Sequence, residues 1–242
     1  MWEFLASIFC LIFGGCESSD CRVLKYAGVS HTICSYKVAD VETKLFLKDQ
    51  RGVPFARFSR LQFELNQKGK KPLMLMNGGM YHEDLLPVGL YVENNQQDKK
   101  VSTKDGWGNF HLLPNGIFWG QNGKLGVSET NAFVADGRKV DFATQSGPML
   151  VIDGKLHPKF LEKSDSLKIR NGVGVSQDGE TVHFVISHGS INFWNFGKLF
   201  QEQLKTPNAL FLDGTVSAIK TQSTTRGGWV ELGPMIGVFS RK

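Results

Sequence analysis

Apolar and polar positions alternate with a period of two along much of the chain, and the alternation breaks repeatedly at glycine-containing pairs. SHTICSYKV (30–38) and TKLFLKD (43–49) alternate as half-buried strands do. PLMLM (72–76), NALFLD (208–213) and LGPMIGVFS (232–240) are short apolar runs, the pattern of buried strands. GIFWGQNGKLGVSE, PMLVIDGKLHP and GVGVSQDGETVHFVIS predict hairpins with two-residue turns at Asn122-Gly123, Asp153-Gly154 and Asp178-Gly179. Only two stretches carry a clear helical period. Phe55, Phe58, Leu61 and Leu65 share one face of a helix that ends at Gly69, and Phe193, Phe196, Leu199, Phe200 and Leu204 share a face of another that Pro207 stops. Strands that alternated regularly with helices would predict a doubly wound parallel sheet, and no such alternation is present. The pattern predicts a single α+β domain with a largely antiparallel or mixed β-sheet and about two flanking amphipathic helices.

Composition narrows this picture. At 242 residues the chain is long enough for one sizeable core. A hydrophobic fraction of 41% and a charged fraction of 21% are those of a globular protein. The net charge of +5 is spread along the chain without a basic run, which argues against nucleic acid and leaves an anionic substrate or plain solubility.

The first residues have their own character. Phe4 to Phe13 is an apolar run too short to span a membrane, and it suits the core of a secretory signal. Gly14-Gly15-Cys16 has the form of a lipoprotein processing site, although Glu3 stands where a basic residue is usual. The expectation is an exported protein, periplasmic or membrane-anchored through a lipidated Cys16, with a signal peptide over 1–15 and one domain over 16–242. Cys21 and Cys34 remain, at the two ends of a hairpin that breaks at Ala27-Gly28. Two cysteines on paired strands of an exported protein are placed for a disulfide, the alternative being two buried thiols.

Common catalytic motifs are missing. No phosphate-cradling Walker loop occurs, no second His follows His82-Glu83 at zinc-binding spacing, and no Gly-x-Ser-x-Gly elbow is present. A site must be assembled from strand ends, and four stretches offer one. In NGGMYHED, Asn77 precedes Gly78-Gly79, whose N–H groups in a tight turn are able to form an anion-binding nest, and His82, Glu83 and Asp84 follow. In ATQSGPMLV, Gln145 and Ser146 precede a Gly-Pro kink. In KIRNGVGV, Arg170 stands at a strand entry, and a guanidinium suits a phosphate or carboxylate. In LFLDGTVSA, Asp213-Gly214 and Ser217 follow a buried strand. Taken alone, each stretch is equally a loop or turn.

Taken together and in order, these stretches resemble the phosphodiester glycosidases, above all an exported bacterial subgroup. NGGMYHEDLLPVGLYVE, GNFHLLPNGIFW, ATQSGPMLVIDGKLHP, IRNGVGV, NFWNFGKLF, NALFLDG and LGPMIGV carry the resemblance from about Cys21 to the C-terminus. The subgroup's cysteine pair supports the disulfide. The resemblance implies hydrolysis of a sugar-1-phosphodiester at its glycosidic bond, releasing a free sugar and a phosphomonoester. It implies Asp213 as the carboxylate facing the anomeric carbon, with Glu83 and Asp84 as second choices. Arg170 and the Gly78-Gly79 amides would stabilise the leaving phosphate, and Asn77, Gln145, Ser146, Gly214 and Ser217 would hold the substrate. One departure stands out: Thr215 occupies the position of a second family glycine. That departure favours a rival reading, a non-catalytic envelope protein that binds glycan or phosphoglycan on the same scaffold. No cofactor is required by the sequence. A metal-dependent phosphodiesterase, with Asp213 and Glu83 holding a divalent cation through oxygen, ranks last.

Overall fold

The structure, a computed structural model, describes residues 21–214 and 216–241. The expected signal segment, the lipidation candidate Cys16 and Thr215 lie outside the described residues.

In chain order the strands are β1 (Cys21–Tyr26), β2 (Val29–Lys37), β3 (Val41–Phe46), β4 (Met74–Asn77), β5 (Tyr91–Glu93), β6 (Gln96–Lys99), β7 (Gly116–Gln121), β8 (Lys124–Glu129), β9 (Phe142–Ser146), β10 (Met149–Ile152), β11 (Lys155–Leu156), β12 (Asn171–Val175), β13 (Thr181–Ser187), β14 (Asn208–Phe211), β15 (Ile219–Thr221), β16 (Thr225–Arg226) and β17 (Met235–Ser240). The helices are α1 (Phe58–Gln67), α2 (Thr130–Asp136) and α3 (Phe193–Lys198), the last running on into a π turn over Leu199–Gln203. The strands form three sheets, ordered β1-β2-β13-β12-β14-β10-β11, β16-β15-β4-β17-β3 and β6-β5-β9-β7-β8. Every described pairing is antiparallel. The fold is α+β in one domain, as the alternation predicts.

The three sheets converge on one core. Val173, Phe184 and Leu210 of the first sheet meet Met74, Met76 and Ile236 of the second and Tyr91, Phe118 and Phe142 of the third. The outer face of the first sheet is covered by α3 and the π turn that follows it, where Phe196 and Phe200 pack with Leu150, Ala209 and Phe211. The alternation of Asn171-Gly-Val-Gly-Val follows from these two faces. Val173 and Val175 enter the central core, while a Cβ on Gly174 would lie 3.0 Å from Phe200. The predicted stripe of Phe58, Leu61 and Leu65 on α1 covers the second sheet against Leu75 and Met235.

The turns reward the glycine pairs unevenly. Ala27-Gly28, Asn122-Gly123 and Asp153-Gly154 all have positive φ at both residues, which a two-residue hairpin of matching twist requires. The connection at Asp178-Gly179 is wider than predicted. It spans 176–180, only Gly179 has positive φ, and the Asp178 carboxylate accepts from Ser176 Oγ and the Glu180 amide. Helix α2 is too short to carry a helical period, and it is capped by the Glu129 carboxylate accepting from the Ala132 amide. Cys21 pairs with Cys34 in the β1–β2 register, and the two form a disulfide.

Candidate active site

Three strand ends meet where the first and second sheets adjoin. Asn77 closes β4, Asn171 opens β12, and residues 212–218 cross from β14 to β15. Asn77 is fully buried and every group on its side chain is used. Its Nδ2 donates to the Asp213 carbonyl at 3.0 Å, and its Oδ1 accepts from Asn171 Nδ2 at 2.7 Å and from the Ala218 amide at 2.8 Å. Ser217 Oγ donates to the Gly214 carbonyl at 3.1 Å and reaches Asn171 Oδ1 at 3.3 Å. A buried amide network of this kind is costly unless complete, and complete it fixes the backbone on which Asp213 stands.

Asp213 is half-buried at the end of that network. Strand β12 pairs with β14 in the register Gly172↔Phe211, and the Leu212 amide still donates to the Asn171 carbonyl. Continuing the register by two places sets Arg170 opposite Asp213. Arg170 is only 1% exposed, and its guanidinium lies 3.5 Å from the centre of the Phe193 ring. Its Nε donates to the Ile191 carbonyl at 2.7 Å and its Nη2 to the Ser166 carbonyl at 2.8 Å. No carboxylate pairs with it among the described residues, and burial brings its pKa down to about 10. Two of the five guanidinium N–H groups are therefore held by carbonyls, and no carboxylate among the described residues balances the charge.

The other predicted residues divide sharply. Gly78 and Gly79 do not offer an anion nest, because the Gly78 amide donates to the Pro234 carbonyl at 2.7 Å and the Gly79 amide to Thr144 Oγ1 at 3.1 Å. What requires glycine there is space: a Cβ on Gly79 would lie 2.3 Å from the Gln145 carbonyl oxygen. Gln145 is buried and holds other loops together, its Oε1 accepting from the Leu90 and Ser102 amides and its Nε2 donating to the Ser102 carbonyl. Ser146 is buried with its Oγ unpartnered. Glu83 and His82 are exposed on the loop after Tyr81, and Asp84 caps that loop by accepting from the Leu86 amide. No contact joins Glu83 or Asp84 to the Asn77 network among the described residues. Gly214 has no positive φ; a Cβ there would strike the Phe211 ring at 2.4 Å. No group of three or more His, Cys, Asp or Glu side chains is placed to hold a metal ion among the described residues.

The structure adds residues that no motif singled out. Tyr81 donates to the Glu231 carbonyl at 2.6 Å, and burial, followed by the Asp213 charge, pushes its phenol pKa up. Beside Ser217 an open cleft of about 460 Å³ runs between the end of β13 and the β15–β16 hairpin. Ile169, Ser187 and His188 form one wall, and Arg226 and Trp229 the other. A separate concavity of about 270 Å³ near Glu42, Asn94 and Arg241 includes none of the candidate residues. Tyr81 was legible as the aromatic neighbour of Asn77-Gly78-Gly79. Arg226 and Trp229 belong to a polar stretch without apolar periodicity.

With this geometry in hand, known proteins provide a frame. The family model for phosphodiester glycosidase matches residues 71–221, a segment that contains Asn77, Arg170, Asp213 and Ser217. An Escherichia coli (strain K12) protein, Uncharacterized protein YigE, is 36% identical over 174 residues, which cover 72% of this chain and 67% of that protein. Among solved structures, the pro-peptide-inhibited catalytic domain of zebrafish N-acetylglucosamine-1-phosphodiester alpha-N-acetylglucosaminidase superposes with a TM-score of 0.62 at 14% identity, over 92% of this chain and 82% of that one. A hypothetical protein from Synechocystis matches with a TM-score of 0.58 at 14% identity, over 91% of this chain and 61% of that one. At such identities the solved structures speak for the fold alone.

Proposed function

The chain belongs to the phosphodiester glycosidase family, and from that premise we propose that it is an exported hydrolase of sugar-1-phosphodiesters. Water adds to the anomeric carbon, the bond from that carbon to the phosphate oxygen breaks, and the electron pair leaves with the phosphate. The products are a free sugar, a phosphomonoester and one proton.

One observation carries this reading: a buried guanidinium without a carboxylate partner among the described residues, which the strand register, continued by two places, sets opposite Asp213. An uncompensated buried cation is expensive, and the expense is reduced when an anion arrives with the substrate. In the reaction Arg170 favours the negative charge that grows on the leaving phosphate, through its field more than through a free fork. Asp213 faces the positive charge that develops at the anomeric carbon and takes up the proton of the incoming water. Asn77, Asn171 and Ser217 hold the Asp213 backbone in place. The Gly78 and Gly79 amides are taken up by Pro234 and Thr144, and this reading gives Glu83 no role.

Turnover of the methyl diester of N-acetylglucosamine 1-phosphate tests the proposal. Release of free N-acetylglucosamine by the wild-type chain, lost in Asp213→Asn, supports it. Binding without turnover across several sugar-1-phosphodiesters would make the chain a glycan-binding protein on the same scaffold. Export and attachment through Cys16 form part of the same proposal and are tested by locating the protein in fractionated cells with Cys16 intact or replaced by Ser.

A further inference from the structure

The cleft beside Ser217 carries one cation, Arg226, and no carboxylate among its described lining residues. Arg226 pairs with Ile219 across β15–β16, and directly opposed residues share a face of the sheet. Ile219 faces the central core, so the Arg226 side chain leans inward over the cleft. Its Nε is buried and has no hydrogen-bond partner among the described residues. A buried donor on a cation without an acceptor is rare in a folded protein, and it points to an acceptor supplied from outside.

The hairpin that carries Arg226 is held against the candidate active site. Gly227 has φ +69°, and a Cβ there would fall 2.1 Å from the Ser217 carbonyl oxygen, so both the backbone angle and the close approach require glycine. Trp229 then stands at the mouth of the cleft with 89% of its surface exposed. An indole left open beside a cationic floor offers a flat face to a ring and costs solvation if nothing covers it. Arg226 and Trp229 both lie beyond the segment 71–221 that the family model matches.

We propose that this cleft is a phosphomonoester subsite, in which Arg226 receives the phosphate and the Trp229 indole stacks on the organic group that the phosphate carries. The inference builds on the proposed reaction, whose second product is a phosphomonoester. It assigns direct phosphate recognition to Arg226, because Arg170 has committed Nε and Nη2 to carbonyls. The Arg226 charge is also felt within the cleft, where burial and then Arg226 hold the His188 pKa down and favour the neutral imidazole.

Isothermal titration of the full chain with glucose 6-phosphate, inorganic phosphate and glucose tests the subsite without requiring turnover. The wild-type chain binds glucose 6-phosphate more tightly than inorganic phosphate and does not bind glucose. Arg226→Gln weakens both anions about tenfold or more, as expected for a charge-assisted contact. Arg226→Lys retains part of that affinity. Trp229→Ala weakens glucose 6-phosphate about three- to tenfold and leaves inorganic phosphate unchanged. Thermal melting of each variant confirms that it is folded. Absence of phosphomonoester binding, or binding indifferent to Arg226→Gln and Arg226→Lys, overturns the subsite. Diester turnover is scored separately: turnover with no phosphomonoester binding rejects the subsite alone, and binding with no turnover rejects the reaction alone.

Discussion

Asn77 Nδ2 donates to the backbone carbonyl of Asp213 across 3.0 Å, although the two residues stand 136 positions apart in sequence. This bond ties the end of β4 to the end of β14, and the Asn77 Oδ1 binds Asn171 and Ala218 at the same time. One buried side chain thus holds the strand ends that form the candidate site.

Replacing Asn77 by Ala strands the Asn171 Nδ2 and the Ala218 amide in the interior. The expected loss is about 2–3 kcal/mol of unfolding free energy, from buried groups left unsatisfied. Urea unfolding measures it. In chain that remains folded, diester turnover falls more than substrate affinity does, because the Asp213 backbone loses its anchor.

Arg170 separates stability from function. Its charge is buried without a carboxylate partner among the described residues, so Arg170→Met removes an expensive charge along with two hydrogen bonds to carbonyls. The unfolding free energy is expected to change by no more than about 1–2 kcal/mol, since buried charges contribute little net stability. Turnover, however, falls by about a hundredfold or more if the charge offsets the leaving phosphate. Calorimetry and a diester assay on the same preparation check both halves.

The lowered pKa values of three histidines, His31 and His157 buried and His183 half-buried, predict a fold that is sensitive to acid. Burial, then the Arg22 charge, lowers the His183 pKa from 6.5 to about 4, and burial lowers those of His31 and His157. Between pH 6.5 and 4 the unfolded chain takes up a proton at His183 that the folded chain refuses, so stability falls as pH falls through this window. The ceiling on the slope is about 1.4 kcal/mol per pH unit for each such group. Melting temperatures recorded across the window are expected to drop toward acid, and His183→Gln to flatten part of the drop.

The Cys21–Cys34 disulfide closes a short loop, with a sequence separation of 13. Replacing both cysteines by Ala is expected to cost about 2–3 kcal/mol by the loop-entropy estimate. Denaturant unfolding of the double variant measures the loss, and diester turnover is expected to be unchanged because neither cysteine touches the site.

Much of the fold was legible in the residues. Two-residue turns at Asn122-Gly123 and Asp153-Gly154, the stripe on α1 and the Gly-Val alternation of β12 each follow from local periodicity that the packing respects. Asp213 was singled out by the family resemblance and not by its local pattern, since an Asp-Gly pair after an apolar run reads equally as a hairpin turn. Other features were hidden because they depend on distant segments. Whether the Gly78 and Gly79 amides were free depended on Pro234 and Thr144. The burial of Arg170 depended on Phe193 closing over it, and the bonding of Gln145 depended on the Leu90 and Ser102 amides. Arg226 lies on a strand of two residues whose register appears only once β15 is in place.

The central claim is that the bond from the anomeric carbon breaks. Hydrolysis of a sugar-1-phosphodiester in water enriched in oxygen-18, followed by mass spectrometry of both products, tests it most directly. The account predicts label at the anomeric hydroxyl of the released sugar and none in the phosphomonoester. Label in the phosphate, or release of sugar 1-phosphate, would contradict it.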